Sequence, residues 1–305
     1  MREQLGLRCL VPCAVALLLG GCSIKKMAVN ALGNALAGGS GTYAKDDDPD
    51  LVGEAVPFGL KTMEALLDES PRHQGLLLAA ASGFTQYGYG WVQQEADFVE
   101  SRDFERAREL RARARRLYRR ALEYGLRGLE VASPGFRRRL RQDPEAALKP
   151  LRKEHVGLLY WTGMAWGAAI SLSKDDAELT ADQNLAEALE RRALALDEGY
   201  ERGSIHDFFV AYEGGRSEAI GGSASRAREH LARALDLSQG LRVAAYVTFA
   251  ETVPVAAQDR KQFQELLEEA LAIELDRAPE MRLSNTIYQR RARWLLARVD
   301  ELFIE

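Results

Sequence analysis

Three side chains of unlike chemistry, His206, Glu213 and Arg216, fall close together in the stretch Gly203 to Ser223. Ile205, Phe208, Phe209 and Tyr212 recur at i, i+3, i+4 and i+7, the spacing of one apolar helix face, while His206, Val210 and Glu213 form a second row beside it. The helix is expected to stop at Gly214-Gly215, and Arg216, Ser217 and Glu218 then lead to Gly221-Gly222, where Ser223 or Ser225 can cap the next helix. An imidazole, a carboxylate, a guanidinium and several free amides could therefore meet at one corner and bind a partner or a ligand. The same residues also have a plain packing reading, in which the glycines turn the chain and Arg216 pairs with Glu213 or Glu218 on the surface.

Aromatic residues next to glycines make a second candidate set. Tyr87, Tyr89 and Trp91 alternate with Gly88 and Gly90, Tyr160, Trp161 and Trp166 stand beside Gly157, Gly163 and Gly167, and Phe209 and Tyr212 belong to the first stretch. Large rings beside small residues on inner helices can line a groove for an apolar ligand or a peptide, or can fill a core. Trp294 with Arg290, Arg291 and Arg293 reads as a solvated face around one buried ring. Signatures of catalysis are missing: there is no H-E-x-x-H, G-x-S-x-G, G-x-G-x-x-G or P-loop, and Gly221 to Ser225 ends in the wrong residue for a nucleophile elbow. The four histidines, at 73, 155, 206 and 230, show no metal-ligand spacing. No catalytic residue, metal or cofactor is assigned.

Helices must position these residues. From Leu51 onwards the apolar periodicity is helical almost without interruption, which predicts an all-α chain. Ala121, Ala193, Ala234 and Ala270 close four similar amphipathic helices at separations of 72, 41 and 36 residues. These approximate two, one and one periods of a helix-pair repeat, and tetratricopeptide repeats run about 34 residues. The expectation is a set of degenerate tetratricopeptide-like helix pairs forming a compact solenoid or ring. Thr180 to Gln183 and Asp259 to Gln262 have capping-box form, Asp143-Pro144 places Pro at a first helical position, Gly125 to Lys153 reads as an insertion of short helices, and Pro254 interrupts a helix beginning near Val243.

The N-terminus has the layout of a secretory signal. Arg2 and Arg8 precede an apolar run from Cys9 to Leu19, too short to span a bilayer, and Leu19-Gly-Gly-Cys22 resembles a lipobox whose cysteine is lipidated. Cys9 and Cys13 would leave with the signal, so no disulfide and no thiolate-bound metal is expected from the three cysteines. An amphipathic segment from Ile24 to Leu36 and a polar tether through Lys45-Asp-Asp-Asp-Pro-Asp50 follow, and the aspartates lack the Gly and the distal Glu of a calcium loop. The expected organisation is residues 1–21 signal, 22–50 lipidated cysteine, amphipathic segment and tether, and 51–305 one helical domain. Net charge is −4, yet residues 102–153 carry 17 Arg or Lys against 7 Asp or Glu. For an exported lipoprotein this is read as a solvated face, an acidic partner or anionic headgroups, with nucleic acid set aside.

Gly203-Ser-Ile-His-x-Phe-Phe, Tyr212-Glu-Gly-Gly-Arg-Ser-Glu, Gly221-Gly-Ser and the His230 to Gly240 run resemble the TatT family, the T component associated with some tripartite ATP-independent periplasmic (TRAP) transporters. Asp47 to Val52, Pro57 to Glu64, Leu159 to Ile170 and Arg282 to Arg298 are also similar, so the resemblance covers nearly the whole mature chain. It implies docking with the solute-receptor subunit of such a transporter, a central cavity or pore, and a symmetric homo-oligomer, a trimer. Ser23 after Cys22 is not Asp, which in a Gram-negative cell favours the outer membrane, facing the periplasm. The sequence reading is thus a non-catalytic, lipid-anchored transport component that binds the solute receptor and a hydrophobic or lipid-like ligand through Tyr87, Trp91, Trp161, Trp166, His206, Phe209, Tyr212, Glu213 and Arg216. The other reading is an envelope scaffold lipoprotein that holds peptide segments on the concave face of the repeats.

Overall fold

A computed structural model describes residues 29–35, 38 and 40–303. Cys22, the signal and the start of the amphipathic segment lie outside the described residues. All regular structure within them is helical. The longer helices are α1 (Pro49–Glu69), α2 (Gln74–Tyr87), α3 (Phe104–Ala132), α4 (Val156–Ser171), α5 (Gln183–Leu196), α6 (Ser204–Gly214), α7 (Ala224–Ser238), α8 (Val243–Ala250), α9 (Arg260–Ala272) and α10 (Arg282–Leu296). Each packs on the next along most of the chain, with α2 also touching α4, α6 touching α8, and α8 touching α10.

Local chemistry sets the helix ends. Asp48 accepts from the amides of Asp50 and Leu51 and starts α1, so part of the aspartate cluster is a cap. Asp259 caps α9, Ser223 caps α7, and Asp143 caps the short helix Pro144–Leu148, as their sequence positions predict. The capping box expected at Thr180 does not form. Asp176 caps the short helix Ala177–Ala181 instead, Thr180 returns its hydroxyl to the Asp176 carbonyl, and α5 begins after Asp182 with no side-chain cap. The insertion also starts later than expected: α3 runs unbroken through Gly125 and Gly128 to Ala132, and only Phe136–Gln142 and Pro144–Leu148 are short helices. Pro254 sits in the first turn of the separate helix Val253–Ala257.

The main core runs from Leu60 to Phe209 and gathers the inner faces of α1 to α6. Val210, Leu231 and Phe249 join α6, α7 and α8 in a second cluster, and Val243, Phe263 and Leu295 join α8, α9 and α10 in a third. Glycines let α3, α4 and α5 approach closely. A Cβ on Gly125 would stand far too near Thr162, including 3.2 Å from its backbone Cα, and one on Gly163 would meet the carboxyl of Glu190. Glu190 is fully buried with both oxygens unpartnered. Burial holds its carboxyl well above the ordinary value of 4.5, opposed only by the Met164 amide.

Gly125→Ala should destabilise the fold by about 1–3 kcal/mol, because the added methyl meets backbone that cannot rotate away. In contrast Gly59→Ala, inside α1 with nothing within 4 Å of the new Cβ, should stabilise it by about 0.5–1 kcal/mol in denaturant unfolding. Glu190→Gln tests the buried acid. A raised folded pKa stabilises fully below pH 4.5 and loses that contribution as pH rises toward the folded value. The variant should therefore gain stability over the parent at pH 7.5 and little at pH 4.5; an equal gain at both would remove the protonated acid from the account.

Candidate functional site

The backbone leaves α-helical form where Gly88, Tyr89, Gly90 and Trp91 follow α2. Gly88–Gln93 is a π-helix, which widens the helix by one residue per turn and is frequent at functional sites, before Gln94–Val99 resumes the α form. Gly88 lies against the ring of Tyr118 on α3, and Gly90 against Ile287 on α10. Tyr89 is thereby turned onto Tyr288 of α10, with ring centroids 5.4 Å apart.

One turn further on, Asp97 sits between two guanidiniums. Arg291 of α10 donates to it at 3.0 Å and grips Glu251 through Nε and Nη2, while Arg111 of α3 donates to its other oxygen at 3.1 Å. Burial alone would lower the Arg291 pKa, but Glu251, Tyr89 and Asp97 hold it well above its ordinary value. The surface role expected for Arg291 is thus corrected: it is only 9% exposed, paired on both sides, and its guanidinium also lies near the Trp294 ring. Gln94, just inside this network, is 1% exposed with neither amide atom partnered.

A second polar group lies across Tyr288. Arg242, just before α8, donates through Nε to Asp207 Oδ2 at 2.5 Å and through Nη1 to the Glu201 carbonyl at 3.2 Å. Tyr160 of α4 packs on Tyr200 at 5.4 Å, and Arg242, Glu201, Asp207 and Glu190 all act on its phenol. Glu201 and Arg202 both take left-handed backbone, φ 42° and 54°, which costs a non-glycine residue on the order of 1 kcal/mol or more. Burial raises the pKa of Tyr89, Tyr160 and Tyr288, so all three phenols stay protonated donors. Tyr89, Tyr288 and Arg242 nonetheless keep accessible surface, and Glu201 is exposed by area although desolvation pushes its carboxyl up. Tyr89 of the π-helix, Tyr288 of α10, Tyr160 of α4 and Tyr200 just before α6 make up a tyrosine file.

The residues singled out in the sequence fall into three places. Tyr87 stacks on Trp91 at 5.9 Å, and the indole of Trp91 slides over Gly53 to donate to the Pro49 carbonyl, tying α1 down. Trp161 lies edge-on to Tyr160 at 4.8 Å, beside the file; Trp166 is buried on the same helix with its indole N–H unpartnered. The remaining five knit α5, α6 and α7 together. His206 is 3% exposed and faces His230 with Nδ1 atoms 2.8 Å apart, so one ring donates and the other accepts; Phe209 stacks on His230. Burial and the neighbouring His206 lower the His230 pKa to about 4. Glu213 is 1% exposed and pairs with Arg226 at 2.7 Å. Tyr212 donates to Glu187 at 2.5 Å, and Arg216 lies over the Tyr212 ring while donating to the carbonyls of Tyr212, Ile220 and Gly221. Asp207, Arg242, Tyr288 and Gln94 carry no sequence signal of their own; the Gly-Tyr-Gly-Trp run and the Tyr160-Trp161 pair beside glycines were the visible pointers to the file.

Comparison with known proteins agrees with this architecture in one respect. A protein of Treponema pallidum (strain Nichols), described as uncharacterized, is 31% identical over 318 residues, an alignment covering 97% of this chain and 98% of its own. The sequence model of the TRAP transporter T-component matches residues 45–303, nearly all of the helical part. This chain belongs to the TRAP transporter T-component family.

Proposed function

We propose that this chain is the lipid-anchored, periplasm-facing T component of a TRAP-type system, which docks with the solute-receptor subunit and passes solute along the tyrosine file. The observation that carries the reading is the tyrosine file, Tyr89 against Tyr288 and Tyr160 against Tyr200, in a chain that matches the T-component family. In this reading the helices are tetratricopeptide-like pairs bent into a closed ring, consistent with α10 touching both α1 and the segment after α2. Residues 51–305 act as one domain. Copies of the chain assemble as a symmetric oligomer, a trimer, held at the outer membrane through Cys22. Among the described residues no helix is long and apolar enough to cross a membrane.

Rings and phenols together suit an amphipathic solute with a hydrophobic body. Tyr87, Trp91, Trp161 and Trp166 support or flank its path, with Trp161 nearest the file. The corner built by His206, Phe209, Tyr212, Glu213 and Arg216 presents the loop 217–222, where Ile220 is 65% exposed, as the docking face for the receptor.

In-cell crosslinking of the full-length protein should recover a periplasmic solute receptor. Recovery of cell-wall or secretion machinery alone would move the assignment to an envelope scaffold. Cys22→Ser should abolish fatty-acyl labelling and shift the protein to the soluble fraction, while leaving its circular dichroism unchanged.

A further inference from the structure

The link between α3 and α4 gathers positive charge at one end of the molecule. Residues 137–153 carry seven Arg or Lys against two acids, Asp143 and Glu145. Arg137, Arg141 and Lys153 are paired, with Glu123, Asp182 and Asp197. Arg138, Lys149 and Arg152 are exposed and hold no carboxylate among the described residues, and Arg139 meets only the Pro134 carbonyl and the Ser133 hydroxyl. An open cleft of about 350 Å³ is cut into this end, lined by Lys149, Arg152, Lys153 and Arg192 with Glu154 as its one acid. Arg192 spends Nη2 on the carbonyls of Lys149 and Leu151. Asp143, Glu145 and Glu154 have no cation on them either, so unpaired cations outnumber unpaired acids here five to three.

The N-terminal part of the chain is seated at the same end. Asn30 accepts from the Ser70 hydroxyl at 2.8 Å, its carbonyl faces His73 Nε2 at 3.4 Å, and Gly33 lies against Leu76, which fixes residues 29–35 on the turn between α1 and α2. That turn adjoins the basic link. Arg127, near the end of α3, donates to the Pro71 carbonyl at 3.1 Å, and Gly157 at the start of α4 lies against Leu78 at the start of α2. Eight residues separate Cys22 from Asn30, about 27 Å of chain at most. Helix α3 has 29 residues, about 43 Å, so its far end is beyond that reach. An acyl group on Cys22 therefore brings the basic end to the bilayer.

We infer that this end, residues 137–153 with Arg192, docks on anionic phospholipid headgroups, with a lipid phosphate entering the cleft beside Lys149 and Arg152. An acidic protein would meet the same charges, but the lipid surface is the occupant that the tether delivers. Each Lys or Arg near such a surface adds about 1 kcal/mol. The inference rests on the proposed lipid anchor.

Flotation with vesicles of phosphatidylcholine alone, and of phosphatidylcholine and phosphatidylglycerol in equal parts, tests it on the full-length protein and its Cys22→Ser variant. The acylated protein should float with both. Cys22→Ser should float with the anionic vesicles only, and high salt should release it. Adding Arg138→Gln, Lys149→Gln and Arg152→Gln together should weaken that binding by on the order of 100-fold, about fivefold for each cation. None of the three holds a carboxylate, so the fold should survive, and an unfolded triple variant leaves the decision to the salt series. Cys22→Ser that ignores anionic vesicles, floats equally with both kinds, or binds as tightly after the triple change or in high salt would overturn the docking face. Receptor crosslinking lost in the triple variant, with anionic vesicles unbound by Cys22→Ser, would give the face to an acidic protein and overturn it too. Failure of the parent protein to float with neutral vesicles defeats the lipid anchor alone, and the Cys22→Ser result then still decides the basic face.

Discussion

Asp97, Arg291 and Glu251 fasten the last long helix to the short helix Gln94–Val99 and to the end of α8, and the interior of the molecule depends on that clasp. Side-chain exposures of 17%, 11% and 23% mean that all three charges are largely out of water. Such a network recovers its desolvation cost only with near-complete hydrogen bonding. Here Arg291 spends Nε, Nη1 and Nη2 on carboxylates, and Arg111 takes the oxygen of Asp97 that Arg291 leaves. Well-packed apolar residues could hold two helices equally tightly, so the clasp contributes position more than net stability. What it positions is Tyr288, one turn from Arg291, against Tyr89.

The π-helix is the other half of that arrangement. Tyr89 lies within the widened turn and meets Tyr288 of α10 there. Glycine at 88 and 90 makes the widened turn possible and lets Tyr118 and Ile287 close on its backbone. Helix α4 solves the opposite problem. Its glycines at 157, 163 and 167 admit Tyr200, Glu190 and Phe208 from neighbouring elements, so its larger side chains, Tyr160 and Trp161 among them, can turn to the file and the core.

Helix class, most helix starts and the apolar faces could be read from local pattern, because caps and i, i+4 periodicity are contacts between near neighbours in the chain. Asp259, Ser223 and Pro144 behave as their spacing predicts. Thr180 does not, because Asp176 upstream offers a competing carboxylate to the same turn. Arg291 looked like one of three solvated cations on the last helix; its partners lie 40 and 194 residues away, a separation that no local pattern encodes. The aromatic clusters were visible as clusters. Which ring joins the file was not, since Tyr160 and Trp161 are adjacent in sequence and pack edge-on to each other, yet it is Tyr160 that meets Tyr200.

The chemistry of the tyrosine file bears on the proposal that it carries solute. Three phenols kept protonated by burial can donate or accept, so they favour neither sign of charge and give a moving polar group successive partners. Arg291 and Arg242 are each committed to carboxylates of the protein, and neither is left as an unpaired cation that would trap an anion. Glu201, exposed by area and carried on strained backbone, stands next to Tyr200 at one end of the file.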